Sequence, residues 1–336
     1  MISFEDYIKK FEEKISKYVV PQSEWGPVEK AIYGVKDLYR VEPKEANELR
    51  FKSIKFQFKR QYEKNAFYRN MCKNRNVSPD DIKSHDDLLK IPLLEDRFFK
   101  NYPDGKDFAV WLANIFTGEI PEIEIRKKKP SYDDILKDFN SAGLVISHSS
   151  GTSGRHTFIP RDEKTFNRTI YGAAKGFASM AYPNLDFERV RGYISLYAKN
   201  INLFAGIMGG MLFDLLEHVD YGIVLNIEVT TDMLQAAMRG RRNVVVRLAS
   251  LYIDWRRTKK FITWLRERHN NGDDIALLGA PFFLNHIMNL LERRGESFSF
   301  GEKSFVVTGG GWKIRENVRI TTKEFREKVE RILGIP

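Results

Sequence analysis

An α/β fold preceded by a helical region is what this sequence predicts, and three observations predict it. From about residue 140 onward, short β-branched or apolar runs alternate with longer segments of helical periodicity, the pattern of a layered α/β domain. Before that point, apolar residues recur at helical spacing. A chain of 336 residues that is 42% hydrophobic can also bury a sizeable core, in one large domain or two of ordinary size. The expected organisation is a mainly helical N-terminal region, 1–135, and a layered α/β core, 136–336. Their seam falls near the charged, proline-containing stretch 126–133.

The first helix starts at Ser3, an N-cap with Asp6 at the capping-box position, and carries the stripe Phe4, Tyr7, Ile8, Phe11 and Ile15. A second helical stretch covers 44–65. The segment "SPDDIKSHDDLLKIPLLED" holds two helix starts, Ser78 followed by Pro79 and then Ser84, and Pro92 closes it. The runs "GLVISH", "GYISLY", "GIVLNI", "NVVVR", "IALLG" and "SFVVTGG" read as strands. Helical stretches are expected over 163–180, 250–270, 281–294 and 322–333. No repeat or low-complexity tract interrupts the pattern.

Composition excludes several classes. No run of about 18 apolar residues occurs, and the opening "MISFEDYIKKFEEK" is too charged for a signal peptide, so a cytoplasmic protein without a membrane span is expected. The single Cys72 can form neither an intrachain disulfide nor a cysteine-rich metal site, and reads as a small core residue. The net charge of +10 suits a polyanionic partner without choosing one. Its densest run, Arg126 to Lys129, is flanked by acids and lacks interleaved aromatics, which fits a solvated loop better than a nucleic-acid face.

Chemistry concentrates in two places. The stretch "SHSSGTSGRHTFIPRD", 147–162, follows an apolar run and offers hydroxyls and glycines that can turn backbone N–H groups toward an anion, aided by a following helix N-terminus. It contains no Walker A loop and no nucleophile elbow. A polar surface turn and a phosphate loop both fit Ser149, Ser150, Gly151, Thr152, Ser153 and Gly154. His148 and His156 flank the stretch, either as neutral structural residues or as ligands to phosphate or carboxylate. The second place follows "SFVV", where Gly309, Gly310 and Gly311 let backbone approach a flat ligand closely. The glycines of "LFAGIMGGMLFDLLEH", 203–218, fit either tight helix packing or a slot for an apolar chain. No His, Cys and carboxylate cluster has metal-ligand spacing.

"SSGTSG" at 149–154 resembles the phosphate loop of acyl-adenylate-forming enzymes, and the other family stretches follow in order: "SPDDIKSHDDLLKIPLLED", "LLGAPFFLNHIMNLLERRG" at 277–295 and "VVTGGGWKIRENVRITTKEFREKVERILGIP". Together they are most similar to the LuxE-like acyl-protein synthetases, with the phenylacetate-CoA ligase group as a near relative. The resemblance implies ATP-dependent activation of a carboxylic acid to an acyl-adenylate, which is passed to a thiol. It implies pyrophosphate binding by residues 149–154, assisted by Arg155, and adenylate contact by Thr308, Gly309, Gly310 and Gly311. Gly279, Ala280 and Pro281 would shape the acyl site, and Trp312 would cover the ligand unless it simply packs. Mg²⁺ would arrive with ATP, held mainly by phosphates and water.

The departures set further expectations. Arg155, His156 and Thr157 stand where the family commonly has a Pro-Lys pair. No Tyr-Gly-x-[Ser/Thr]-Glu motif follows the glycines, nor a lid domain with its lysine, nor an acceptor cysteine. A second polypeptide is therefore expected to supply the missing C-terminal part, with an acyl-CoA reductase or another acyl acceptor as partner. A noncatalytic nucleotide- or acyl-binding subunit is the alternative, and a basic nucleic-acid scaffold the remaining one.

Overall fold

The computed structural model describes residues 2–149, 155–196, 202–221, 230–233 and 244–336. It is a mixed α/β protein with a helical N-terminal region, and the described residues group into two compact units.

The first unit takes Ile15–Ser149 with Arg155–Met180. It contains the helices α2 (Pro27–Tyr33), α3 (Pro43–Lys64), α4 (Ala66–Asn74), α5 (Lys106–Ile115) and α6 (Tyr132–Ser141). The strands β1 (Val145–His148) and β2 (Phe158–Arg161) follow, and then most of α7 (Glu163–Ala181). Prolines at the first turn start α2 and α3, where a missing N–H costs nothing. Ser131 caps α6 by accepting the Asp134 N–H. The amphipathic faces of α5 and α6 close over the β1–β2 pair, burying Phe108, Leu112, Ile135, Leu136, Ile146 and Phe158 together. Lys175 of α7 is fully buried, and its ammonium donates to the carbonyls of Ile32 and Tyr33 at the end of α2. A cation there satisfies orphan carbonyls and complements the helix dipole.

The second unit joins α1 (Phe4–Lys14) to the chain from Ala181 onward. The expected cap forms, with the Asp6 N–H donating to Ser3 Oγ at 3.1 Å. Tyr7 packs its ring against Tyr182 and Phe187. A four-stranded sheet runs in the order β4-β3-β5-β6, with β3 (Tyr193–Ser195), β4 (Asp220–Tyr221), β5 (Ala276–Gly279) and β6 (Phe305–Thr308) all parallel. All four residues of β5 are buried, as a central parallel strand covered on both faces requires. Helices α8 (Phe204–Leu215), α9 (Val244–Asn270), α10 (Pro281–Arg293) and α11 (Thr322–Leu333) complete the unit. The main core gathers Ile194, Leu265, Leu277, Leu284, Leu291 and Leu333 from strands and helices.

Two elements differ from expectation. "NVVVR" is not a strand, because α9 begins at Val244; three consecutive valines mimic a buried strand, and the helix that follows carries them instead. "FIPR", which is not among the strand-like runs above, forms β2; Pro160 cannot donate to a ladder, and β2 pairs with β1 on one side only. As a result the polar stretch after β1 leads into a second strand before α7, not directly into a helix N-terminus. "GIVLNI" lies outside the described residues.

Candidate functional site

The parallel sheet places its carboxyl ends where the sequence put the glycines. From β3 the chain moves outward to β4 on one side, and from β5 it continues to β6 on the other. Adjacent strands whose onward connections diverge leave a crevice at their carboxyl ends, the usual ligand position in open α/β sheets. In this sheet that position is the end of β3 at Ser195 and of β5 at Gly279.

Gly279 pairs in register with Thr308, and the Gly309 N–H donates to the Gly279 carbonyl at 3.2 Å. The two predicted stretches, 279–281 and 308–311, are therefore brought together. Gly279 has to be glycine for a packing reason: a Cβ would stand 2.9 Å from Leu196 Cδ1 and 3.0 Å from Leu196 Cβ. Gly310 (φ 83°) and Gly311 (φ 62°) adopt left-handed backbone that turns the chain away from β6. Thr308 and all three glycines are exposed, leaving this edge accessible. Trp312 is not: it is buried in the main core.

Two buried polar atoms, neither singled out by the sequence, border these ends. Ser195 is fully buried, and its Oγ has no hydrogen-bond partner among the described residues. Asn285, one turn into α10, is also buried, and its Oδ1 is likewise unpartnered among them. An unmet hydroxyl and an unmet amide oxygen are costly unless something occupies them. The signal in sequence was weak, a single serine closing an otherwise apolar strand.

The described ends of the hydroxyl- and glycine-rich stretch, Ser149 and Arg155, belong to the first unit. Of residues 149–155, only Ser149 and Arg155 are described; Ser150, Gly151, Thr152, Ser153 and Gly154 lie outside the described residues. Ser149 is tied to Thr157, its N–H donating to the Thr157 carbonyl at 3.0 Å and its Oγ accepting the Thr157 N–H at 2.9 Å. The Arg155 guanidinium donates to the Tyr102 carbonyl at 2.8 Å and lies 4.1 Å from the centre of that residue's ring.

The Ser149 carbonyl also receives both histidines, His148 Nδ1 at 2.9 Å and His156 Nδ1 at 2.6 Å. A carbonyl only accepts, so both Nδ1 atoms carry the proton. Burial pushes the His148 pKa down to about 4 and lowers that of His156 as well. These are neutral structural imidazoles near pH 7, not cations waiting for phosphate. Among the described residues no group of three His, Cys, Asp or Glu side chains could hold a metal ion, and no helix is long and apolar enough to cross a membrane.

Residues 231–336 match the family model of acyl-protein synthetase, LuxE. A long-chain-fatty-acid–luciferin-component ligase from Aliivibrio fischeri is 24% identical over 284 residues, covering 84% of this chain and 58% of that protein. The protein of the same name from Vibrio harveyi is 30% identical over 57 residues, which is 17% of this chain and 15% of that one. The matches thus span less than two thirds of the length of these curated relatives. The matched C-terminal segment contains β5, α10, β6 and the glycine turn, so sequence likeness and strand-end geometry fall on the same residues. In its C-terminal third the chain is thus similar to the LuxE acyl-protein synthetases.

Proposed function

We propose that the chain takes part in ATP-dependent activation of a carboxylic acid, forming an acyl-adenylate from which the acyl group passes to a thiol. The observation that carries this reading is the pairing of the β5 and β6 ends with the glycine turn that follows, all within the segment that matches the LuxE family model. The names of both relatives specify a long-chain fatty acid, and that class is the first to test here.

In this reading the exposed backbone of Thr308 to Gly311 borders the adenylate, and Ser195 Oγ and Asn285 Oδ1 find their missing partners on the ligand. Gly279, Ala280 and Pro281 shape the acyl side. Residues 149–154 and Arg155 hold pyrophosphate, and Mg²⁺ travels on the nucleotide with water completing its shell. Attack of the carboxylate oxygen on the α-phosphorus forms the P–O bond of the adenylate as pyrophosphate leaves. The protein's part is to position the two reactants and neutralise charge. The acceptor thiol is not Cys72, which is fully buried between α4 and its neighbours with its pKa raised by burial. A thiol-bearing partner completes the transfer.

Calorimetry with a non-hydrolysable acyl-adenylate analogue tests the reading. Binding is expected, weakened by Thr152→Ala combined with Ser153→Ala and by Gly310→Val. A folded protein that binds neither the analogue nor Mg-ATP overturns it.

A further inference from the structure

The first unit holds a cavity of about 460 Å³, within the range of small-molecule sites. None of the residues discussed so far as ligand-binding lines it. One wall is apolar, formed by Leu94, Phe67, Phe98, Ile115 and Phe116. Phe67 is 44% exposed and stacks on Phe98 with ring centres 4.9 Å apart, so an aromatic pair stands at the solvent side. An exposed aromatic pair bordering a cavity is a surface that an apolar ligand would cover.

The lining also carries charge, most of it already answered. Arg60 is paired with Asp162 at 3.0 Å and donates to the Thr117 carbonyl at 3.1 Å. Arg168 is paired with Glu29 at 2.9 Å. Arg161 is different: its guanidinium donates to Ser147 Oγ and reaches the Ile159 carbonyl at 3.5 Å, but it meets no carboxylate among the described residues. Burial lowers its pKa with no neighbouring anion to offset the effect. The cavity lining has another unmet donor, since the buried Gln57 Nε2 has no partner among the described residues. A half-buried cation without an anion and an amide donor without an acceptor ask for the same thing, an acceptor that carries one negative charge.

We propose that this cavity binds a carboxylate with an apolar body, its carboxylate on Arg161 and Gln57 and its tail along the phenylalanines. The guanidinium fork suits the two oxygens of a carboxylate. A phosphate dianion fits less well, because Asp162 lines the same cavity and only one lining charge is left uncompensated among the described residues. The site needs no nucleotide, so it stands independently of the adenylation reading.

Titration of the full chain with dodecanoate by calorimetry tests it, with dodecan-1-ol, acetate and dodecyl phosphate as comparators. Dodecanoate is expected to bind more tightly than the alcohol, which lacks the charge, than acetate, which lacks the tail, and than the phosphate. Arg161→Gln should weaken dodecanoate roughly 10- to 100-fold while leaving the alcohol unchanged. Ile115→Trp should block both long ligands by filling the cavity, and circular dichroism and thermal melting establish that each variant folds. Unchanged dodecanoate affinity in folded Arg161→Gln and Ile115→Trp overturns the proposal, as does tighter binding of dodecyl phosphate. Mg-ATP titrated separately shows whether the nucleotide reading survives that outcome.

Discussion

Glu29 and Arg168, separated by 139 positions in the chain, form an ion pair of 2.9 Å that is almost wholly buried and joins α2 to α7. Burial alone would raise the Glu29 pKa, but the Arg168 guanidinium and the Gly26 N–H hold it below its ordinary 4.5. A carboxylate depressed in the folded state contributes stability above its unfolded pKa, and that contribution disappears as pH falls through the folded value. Glu29→Gln should therefore destabilise the protein by about 3–5 kcal/mol at pH 7, because Arg168 is left as an unanswered buried charge. Urea denaturation from pH 7 to pH 3 should show the difference between wild type and variant shrinking only below pH 4.5. A constant difference across that range would show that the pair is not what Glu29 contributes.

The histidine pair acts in a higher window. His148 is buried as a neutral imidazole with its pKa pushed from 6.5 to about 4, and His156 is lowered too. The unfolded chain binds these protons first, so the stability they contribute is complete above pH 6.5 and is lost as pH falls toward 4. Each histidine adds a slope of at most ~1.4 kcal/mol per pH unit. Stability measured in steps between pH 7 and pH 4.5 should fall in wild type and fall less steeply in His148→Gln. Parallel curves would show that His148 titrates alike in the folded and unfolded protein.

What the sequence disclosed, and what it hid, follows from how local each signal is. The Ser3 cap, the Thr322–Leu333 helix and the strand at "IALLG" are written in neighbouring residues and form as read. Three valines at the start of a long helix misled, because β-branching near one end says less than the helical pattern that follows it. The glycine turns were legible since no other residue does their work. The cavity was not: Gln57, Ile115 and Arg161 come from separate elements, and nothing in the sequence couples them. Ser195 stayed hidden because a missing hydrogen-bond partner is a property of packing.

Gly279 and Leu196 share a space with no room for another methyl group. Since a Cβ at Gly279 would approach Leu196 to 2.9 Å, Gly279→Ala forces that side chain to shift, an overpacking cost of about 1–3 kcal/mol. Leu196→Ala opens a cavity and is costly alone, yet it should relieve the clash. In a double-mutant cycle, Gly279→Ala is expected to cost at least about 1 kcal/mol less in the Leu196→Ala background. Additive effects would place the requirement for glycine elsewhere.

Ser195 offers the cleanest separation of binding from stability at the strand ends. Its hydroxyl is buried without a partner among the described residues, so in the free protein it contributes no hydrogen bond and costs desolvation. Removing such a group leaves nothing behind unsatisfied, and Ser195→Ala should keep or slightly raise the melting temperature. If the adenylate lies across the ends of β3 and β5, the same hydroxyl meets it there. Losing one hydrogen bond of about 1–1.5 kcal/mol should then weaken the acyl-adenylate analogue roughly 5- to 13-fold. The two readouts move apart, which a merely structural serine cannot produce. Calorimetric titration beside a thermal melt decides it: unaltered analogue affinity in a folded Ser195→Ala protein removes Ser195 from the site, and if Gly310→Val also binds normally, the carboxyl ends of these strands are not where the ligand sits.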